Sequence, residues 1–405
     1  MNDTSAILGR INDALRERAM TQVELAEQAG LSTTQMSRLL SGQRKVTAGE
    51  LGVLADALGV SPSALLGRSE PAQAWGAPAW LVQAGCGELA DLFVRAQHLV
   101  ELRARLDELL APGARASGVD VDIPTSAHAA AAGRQLAKRV RKALKLGDEP
   151  VGDLTALVED VFGLDVATQP MPDSLHGLLV TGRVDQFSGD AAAPARGSSP
   201  GAVALINSGD TWGRQRFTLA RELAHLLFMD VRLFVADFAG RPVRDLNELR
   251  ADCFAAHFLA PDSGLRAVAR ALTGAETAPG RPLADVDGAG GAALVAAVAV
   301  RFGLSAQVST RRLEDTRVID ASQSLALERR TARELFLEAG CMRQWDEQGA
   351  LQYAVVPPPG LLARALYAYR EGMLSVQALA DLYGTADVAA LEGELASAGW
   401  RPAPV

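Results

Sequence analysis

Apolar residues recur at three-four spacing along most of the chain, and one stretch switches to strand-like runs. Near the N-terminus the spacing predicts five short helices over residues 5–18, 21–29, 32–41, 47–58 and 61–66. Thr21-Gln22-Val23-Glu24 and Thr47-Ala48-Gly49-Glu50 each have the layout of a capping box, in which the Thr hydroxyl and the Glu carboxylate satisfy opposite backbone N–H groups. Gly30-Leu31-Ser32 supplies a tight turn and a fresh N-cap, and Ser61-Pro62 puts proline at a first helical position. Pro71, Trp75, Gly76, Pro78 and Trp80 mark residues 68–88 as a connector. Residues 88–111 then form one long helix, with Leu89, Leu92, Ala96, Leu99, Leu102, Leu106 and Leu109 on a stripe that faces either a core or a seam between two copies.

A helix over 126–146 carries Arg134, Lys138, Arg139, Arg141, Lys142 and Lys145, which read as a solvated face or as a phosphate-binding patch. After a helix over 153–162 the period changes. Residues 165–168, 177–184 and 202–206 read as strands. Strong helices follow over 213–229 and 245–260, then a Gly/Ala/Pro loop over 273–291. The remainder is helical apart from an extended, proline-rich crossing at 353–359. The expected architecture is multidomain, with an all-α domain over 1–68, a connector and long helix over 69–125 (a possible dimerisation element), an α+β domain over 126–320 and an α-helical C-terminal module over 321–405.

Composition narrows the class. The chain has 405 residues, 48% hydrophobic and 22% charged, as in ordinary globular domains. The longest apolar run, Ala292 to Val300, stops at Arg301, well short of the ~18 residues a membrane span needs. The opening Met-Asn-Asp lacks the basic-then-apolar layout of a secretory signal, so the expected location is the cytoplasm, with no membrane partner. Cys86, Cys253 and Cys341 have no zinc-ribbon or disulfide-framework spacing. The net charge of −8 gives no bulk attraction for phosphate, so any nucleic-acid contact must be local.

The second and third helices, joined by the glycine turn, make a helix-turn-helix. Leu25, Ala26, Leu31, Met36, Leu39 and Leu40 would form its core. Ser32, Thr33, Thr34, Gln35, Ser37 and Arg38 form the polar face able to meet base edges in a major groove, and Arg44 and Lys45 follow within reach of a phosphate. A protein–protein helical module is the bland reading of the same pattern. Thr21-Gln22-x-x-Leu25-Ala26-x-x-Ala29-Gly30-Leu31-Ser32, Ser37-Arg38, Gly42 and Leu54-Ala55-x-x-Leu58-Gly59-Val60 resemble the lambda-repressor-like (XRE) DNA-binding family over residues 7–67. The resemblance implies a backbone contact from Gln22 and base contacts from Thr33, Thr34 and Arg38. Leu40 stands where the family often has Glu. Within residues 1–68 seven basic side chains balance seven acidic ones, so single-site affinity is expected to be weak and a homodimer on a two-fold operator is the usual remedy.

A second motif lies in the helix over 213–229. A zinc-peptidase helix reads H-E-x-x-H, two histidines one turn apart holding the metal and the Glu activating water. Here the run is Arg221-Glu222-x-x-His225. With Ala202 to Asn207 before it, and Glu248-x-x-Ala251-Asp252-x-Phe254-Ala255-Ala256-x-x-Leu259-x-Pro261 after it, the segment 126–320 resembles the ImmA/IrrE family of zincin-type peptidases, which occur beside or fused to repressors and cleave them. The resemblance assigns Glu222 to the general base and His225 and Glu248 to metal ligands, with Arg221 at the first-ligand position. Two ligands fall short of the three a catalytic zinc takes. A fixed guanidinium also repels a dication by several kcal/mol at about 4 Å, even at an effective dielectric near 20. Zinc is therefore expected only if a substitute ligand completes the site. Arg221 is expected to pair with Glu248 or Glu222 in the metal's place, Asp252 to lie in the outer shell of the site and His257 to point away.

These readings favour a sequence-specific DNA-binding transcriptional regulator with a pseudoenzyme domain that senses a protein or small-molecule effector or assembles the oligomer. An active metallopeptidase that cleaves a repressor and an antitoxin-like protein-binding adaptor are the competing classes.

Overall fold

A computed structural model describes residues 4–17, 20–29, 31–42, 44, 46, 54, 58, 87–110, 121–126, 128–182, 201–230, 234–238, 246–274, 288–385 and 387–401. The chain forms two compact units, residues 1–76 and 77–405.

The first unit holds helices α1 (Thr4–Glu17), α2 (Gln22–Gln28) and α3 (Thr33–Leu40). Leu8, Ile11, Leu15, Leu25, Ala26, Ala29, Met36, Leu39, Leu54 and Leu58 form its core, with Leu31 and Leu40 partly buried against it. Both described caps follow the expected chemistry. Glu24 accepts from the Thr21 backbone N–H at 2.7 Å, while the Thr21 hydroxyl accepts from the Glu24 N–H at 3.2 Å. Gly42, at φ +73°, closes α3 in the left-handed conformation that glycine reaches without strain. Leu54 and Leu58 apart, the helices expected over 47–58 and 61–66 lie outside the described residues, as do Thr47 and the Ser61-Pro62 start.

The second unit is built on a four-stranded mixed sheet in the order β1-β3-β2-β4. The strands are β1 (Leu164–Gln169), β2 (Leu175–Thr181), β3 (Ala202–Asn207) and β4 (Phe234–Phe238). β3 runs parallel to β1 and antiparallel to β2, and β2 pairs antiparallel with β4. All six residues of β3 are buried, as expected of an apolar run covered on both faces. Ala202, Ala204 and Ile206 point into one core, Val203 and Leu205 into the other. β4 was not anticipated, because its five residues carry too little alternation to be read as a strand.

One face of the sheet is covered by α5 (Ala129–Ala143), α6 (Leu154–Phe162), α7 (Trp212–Phe228), α8 (Leu246–Leu259), α9 (Asp262–Thr273), α10 (Gly288–Phe302) and α11 (Ala306–Asp315). Helices α12 (Ala321–Glu328), α13 (Ala332–Glu338) and α14 (Met342–Gly349) extend this side. The opposite face is covered by the long helix α4 (Gly87–Leu109) together with α15 (Pro359–Arg370), α16 (Val376–Tyr383) and α17 (Val388–Ser397). The leucine stripe of α4 is thus spent inside the chain: Leu89, Leu92, Leu99 and Leu106 are buried with Leu178, Val203, Leu361 and Leu379. Packing joins segments that the sequence reading separates, since α4 and the C-terminal helices share one core with the sheet. The extended crossing runs along the β1 edge, where Val356 and Thr168 exchange backbone hydrogen bonds at 2.9 and 2.8 Å. Among the described residues no single helix is long and apolar enough to cross a membrane.

Helix α5 lies tightly on α8. A Cβ at Gly133 would stand 2.2 Å from the Arg250 carbonyl oxygen and 2.9 Å from the Phe254 nitrogen, so the two backbones would have to separate. Gly133→Ala is expected to lower the unfolding free energy by about 1–3 kcal/mol or more, read from the urea midpoint at unchanged slope.

Candidate functional site

In the first unit the N-terminus of α3 is fixed by a reciprocal cap. The Ser32 hydroxyl accepts from the Gln35 backbone N–H at 3.2 Å, and the Gln35 side-chain oxygen accepts from the Ser32 N–H at 2.9 Å. Thr33, Thr34, Ser37 and Arg38 are exposed on the helix beyond this cap. Two of the anticipated DNA-facing residues, Ser32 and Gln35, therefore spend part of their hydrogen-bonding capacity on orienting the helix, leaving the other four as its free polar face. Gln22 is exposed at the start of α2 and Arg44 is half-buried, while Lys45 lies outside the described residues.

In the second unit, α7, α8 and β4 bring a dense ionic group together. Arg221, one residue before the buried Glu222, extends its guanidinium among three carboxylates. One Nη donates to Asp237 of β4, the other to Glu248 of α8, and Nε lies 2.8 Å from Asp252 Oδ1. Burial alone would lower the arginine's pKa, but Asp237, Asp252 and Glu248 overcome that and raise it above its ordinary value. The expected pairing with Glu248 is present. The alternative pairing with Glu222 is not, because the guanidinium points toward β4 and α8, and neither Glu222 oxygen has a hydrogen-bond partner.

Glu222 is 1% exposed, and its carboxyl is pushed up to about 8 by burial, against the opposing pull of His225. It sits under β2 because residue 177 is glycine: a Cβ there would lie 2.6 Å from Thr218 Cγ2 and 3.0 Å from Glu222 Oε1. His225, one turn further on, is also buried. Its Nδ1 is 3.0 Å from Asp230 Oδ2, and its Nε2 is 3.7 Å from Glu248 Oε2. Met229, at φ +57°, ends α7 in the left-handed region and turns the chain so that Asp230 reaches back to the histidine. Arg250 pairs with Asp230 and lies 4.3 Å above the Phe228 ring.

The degenerate motif and the family resemblance located Arg221, Glu222, His225, Glu248 and, one turn on, Asp252. They missed Asp237 and Asp230, the one on the unread strand and the other in a helix-ending turn, along with the support from Arg250. His257 bonds the Cys253 carbonyl at 2.8 Å and lies 3.7 Å from Asp262, away from the cluster, as its half-turn offset from Glu248 implied. His176 pairs with Asp210 at 2.9 Å.

The donor set does not fit a catalytic zinc ion. His225 Nε2 and Glu248 Oε2 are close enough to share one ion, but Glu248 is already bonded to a guanidinium at the place of a third ligand. The positive charge that an acidic, buried group requires is supplied covalently by Arg221.

Residues 182–314 match the family described as the IrrE N-terminal-like domain, and residues 10–70 match the Cro/C1-type helix-turn-helix DNA-binding domain. The chain carries both domains. No curated protein matches it. Within the IrrE-like domain lie Arg221, Glu222, His225, Asp237, Glu248 and Asp252; the Cro/C1-type domain contains the whole of α2 and α3.

The raised Glu222 pKa fixes the sign of a pH effect on the IrrE-like domain. A carboxyl at about 8 when folded and about 4.5 when unfolded binds its proton more tightly in the native state. Its contribution is complete below about pH 4.5 and is lost as pH rises through 8. Glu222→Gln, which stays neutral, is expected to reduce the fall in stability over that window, measured by chemical denaturation at pH 5.5 and 8.5.

Proposed function

We propose that this protein is a cytoplasmic, sequence-specific transcriptional regulator that binds operator DNA through α3, as a homodimer, and whose IrrE-like domain has given up metal-dependent peptide hydrolysis. The observation that carries the reading is the Arg221 guanidinium, bonded to Asp237 and Glu248 and lying beside Asp252, at the first-ligand position of the peptidase motif. With that cation in place, a dication would meet the guanidinium's charge beside Glu248 Oε2, and burial raises the Glu222 carboxyl to about 8, above the ordinary carboxylate range. The IrrE-like domain then serves assembly or the sensing of a protein or small-molecule effector.

On the DNA side, Thr33, Thr34, Ser37 and Arg38 meet base edges, Arg38 having the guanidinium fork that matches guanine, while Gln22, Arg44 and Lys45 meet the phosphate backbone. Ser32 and Gln35 set the angle at which α3 enters the groove.

Two measurements test the proposal. In a gel shift on the DNA upstream of its own coding sequence, Arg38→Ala and Thr34→Ala are each expected to weaken specific binding by about 1–3 kcal/mol, roughly 5- to 150-fold. An unchanged shift would remove α3 as the reading element. In metal analysis, the purified protein is expected to hold no stoichiometric zinc, whereas Arg221→His, which restores a three-ligand set with His225 and Glu248, gains it. Stoichiometric zinc in the unaltered protein, lost in His225→Ala, together with cleavage of a repressor, would establish the peptidase instead.

A further inference from the structure

Only four of the 40 basic residues of the chain are lysines, and three of them, Lys138, Lys142 and Lys145, stand on or just beyond α5. The other basic residues are nearly all arginines, several in ion pairs or against backbone carbonyls: Arg103 with Asp165, Arg312 with Asp262 and, on α5 itself, Arg139 with Asp122 and Arg141 with the carbonyls of Gly147, Glu149 and Phe258. The three lysines and Arg134 are exposed, and among the described residues none of these four forms an ion pair. Arg134, Lys138 and Lys142 recur every four residues, so they rise along one side of the helix in steps of about 6 Å. Lys145 continues the row past the helix end.

The opposite side of α5 is immobilised. Leu136, Ala137 and Val140 are buried, and Gly133 lets α5 settle onto the α8 backbone. The row of charge is therefore carried on a packed support, with Lys138 near enough to Asp262 to help lower that carboxyl's pKa. That combination differs from the usual solvated helix face, in which acidic and basic residues alternate and pair at i,i+4. It also stands out on a chain whose net charge is −8.

We propose that the α5 lysine face is a second, sequence-independent contact to duplex DNA, binding the phosphate backbone. The inference rests on the DNA-binding reading given above and deepens it. The recognition domain has no surplus positive charge, with seven basic residues balanced by seven acidic ones over residues 1–68, and few of its cations are placed for phosphate, so further phosphate contacts from another part of the chain would add affinity that it lacks. Lysine suits this task better than arginine: it is a compact, hydrated point charge that meets phosphate without demanding bidentate geometry. From Arg134 to Lys145 the row spans roughly 16 Å, a length of duplex that carries on the order of ten phosphate charges.

The test uses the full chain and the variant Lys138→Gln/Lys142→Gln/Lys145→Gln. Binding to a 30-base-pair duplex of random sequence, and to the upstream DNA, is followed by fluorescence anisotropy between about 50 and 200 mM salt. Loss of three phosphate contacts is expected to flatten the plot of log affinity against log salt by about 2.7, so that binding changes roughly 40-fold less across that fourfold range. Preference for the upstream DNA over the random duplex is expected to persist in the variant and to fall in Arg38→Ala. An unchanged slope with normal sequence preference would overturn the lysine contact and leave the regulator reading intact. An unaltered protein that binds neither duplex would overturn both. Competition by polyglutamate that depends on the three lysines, with no change in the DNA slope, would assign the face to an acidic protein instead. Because these side chains are exposed, the variant is expected to unfold at the same temperature as the parent, which separates a lost contact from a lost fold.

Discussion

A single guanidinium, placed where α7, α8 and β4 converge, balances the charge of the IrrE-like domain's interior. Asp237, Glu248 and Asp252 converge from two elements and would repel one another at such close range without a cation between them. In a zinc peptidase the metal supplies that charge and brings catalysis with it. Arginine supplies it permanently, cannot deprotonate, and offers donors to several carboxylates at once. On the proposed reading, the guanidinium keeps the three elements together in place of the open coordination position that hydrolysis would use.

The surroundings of the Arg221 cluster are closely supported. Asp230 holds the His225 ring, Arg250 holds Asp230, and Gly177 leaves room for Glu222. These are the kinds of contact that orient ligands around a metal, and here they orient groups around an ion pair. Glu222 is buried without a hydrogen-bond partner, and that burial pushes its carboxyl up to about 8.

Much of this was legible in the chain. The capping boxes, the glycine turn and the four-residue step from Arg221 to His225 each act over fewer than six residues, and local physics reads them directly. The run over 202–206, apolar at every position, read as a strand; that both its faces are covered came from the fold. What stayed hidden depends on long-range pairing. Asp237 joins the site only because β4 docks on β2, and Asp230 only because Met229 accepts a left-handed turn that its side chain does not favour. The Arg221 partners were narrowed to Glu222 or Glu248 by the family resemblance, but choosing between them needed the direction of the side chain. The stripe on α4 was plain in the sequence; what covered it was not, since a leucine row looks the same against a sheet as against a second copy.

The covering of that stripe has a consequence for how the molecule comes into being. One side of the sheet, with Ala167, Leu178, Val180, Val203 and Leu205, shares its core with α4 and with helices built from residues 359–397. A ribosome will have made every strand well before it releases those last helices. For the interval between, the nascent second unit presents an incompletely shielded greasy flank, and a chain cut short after the IrrE-like segment would keep it. The terminal helices are thus a lid on the main body's own interior, and shortened versions of the gene would be expected to yield protein that clumps or is held by chaperones rather than a smaller working regulator.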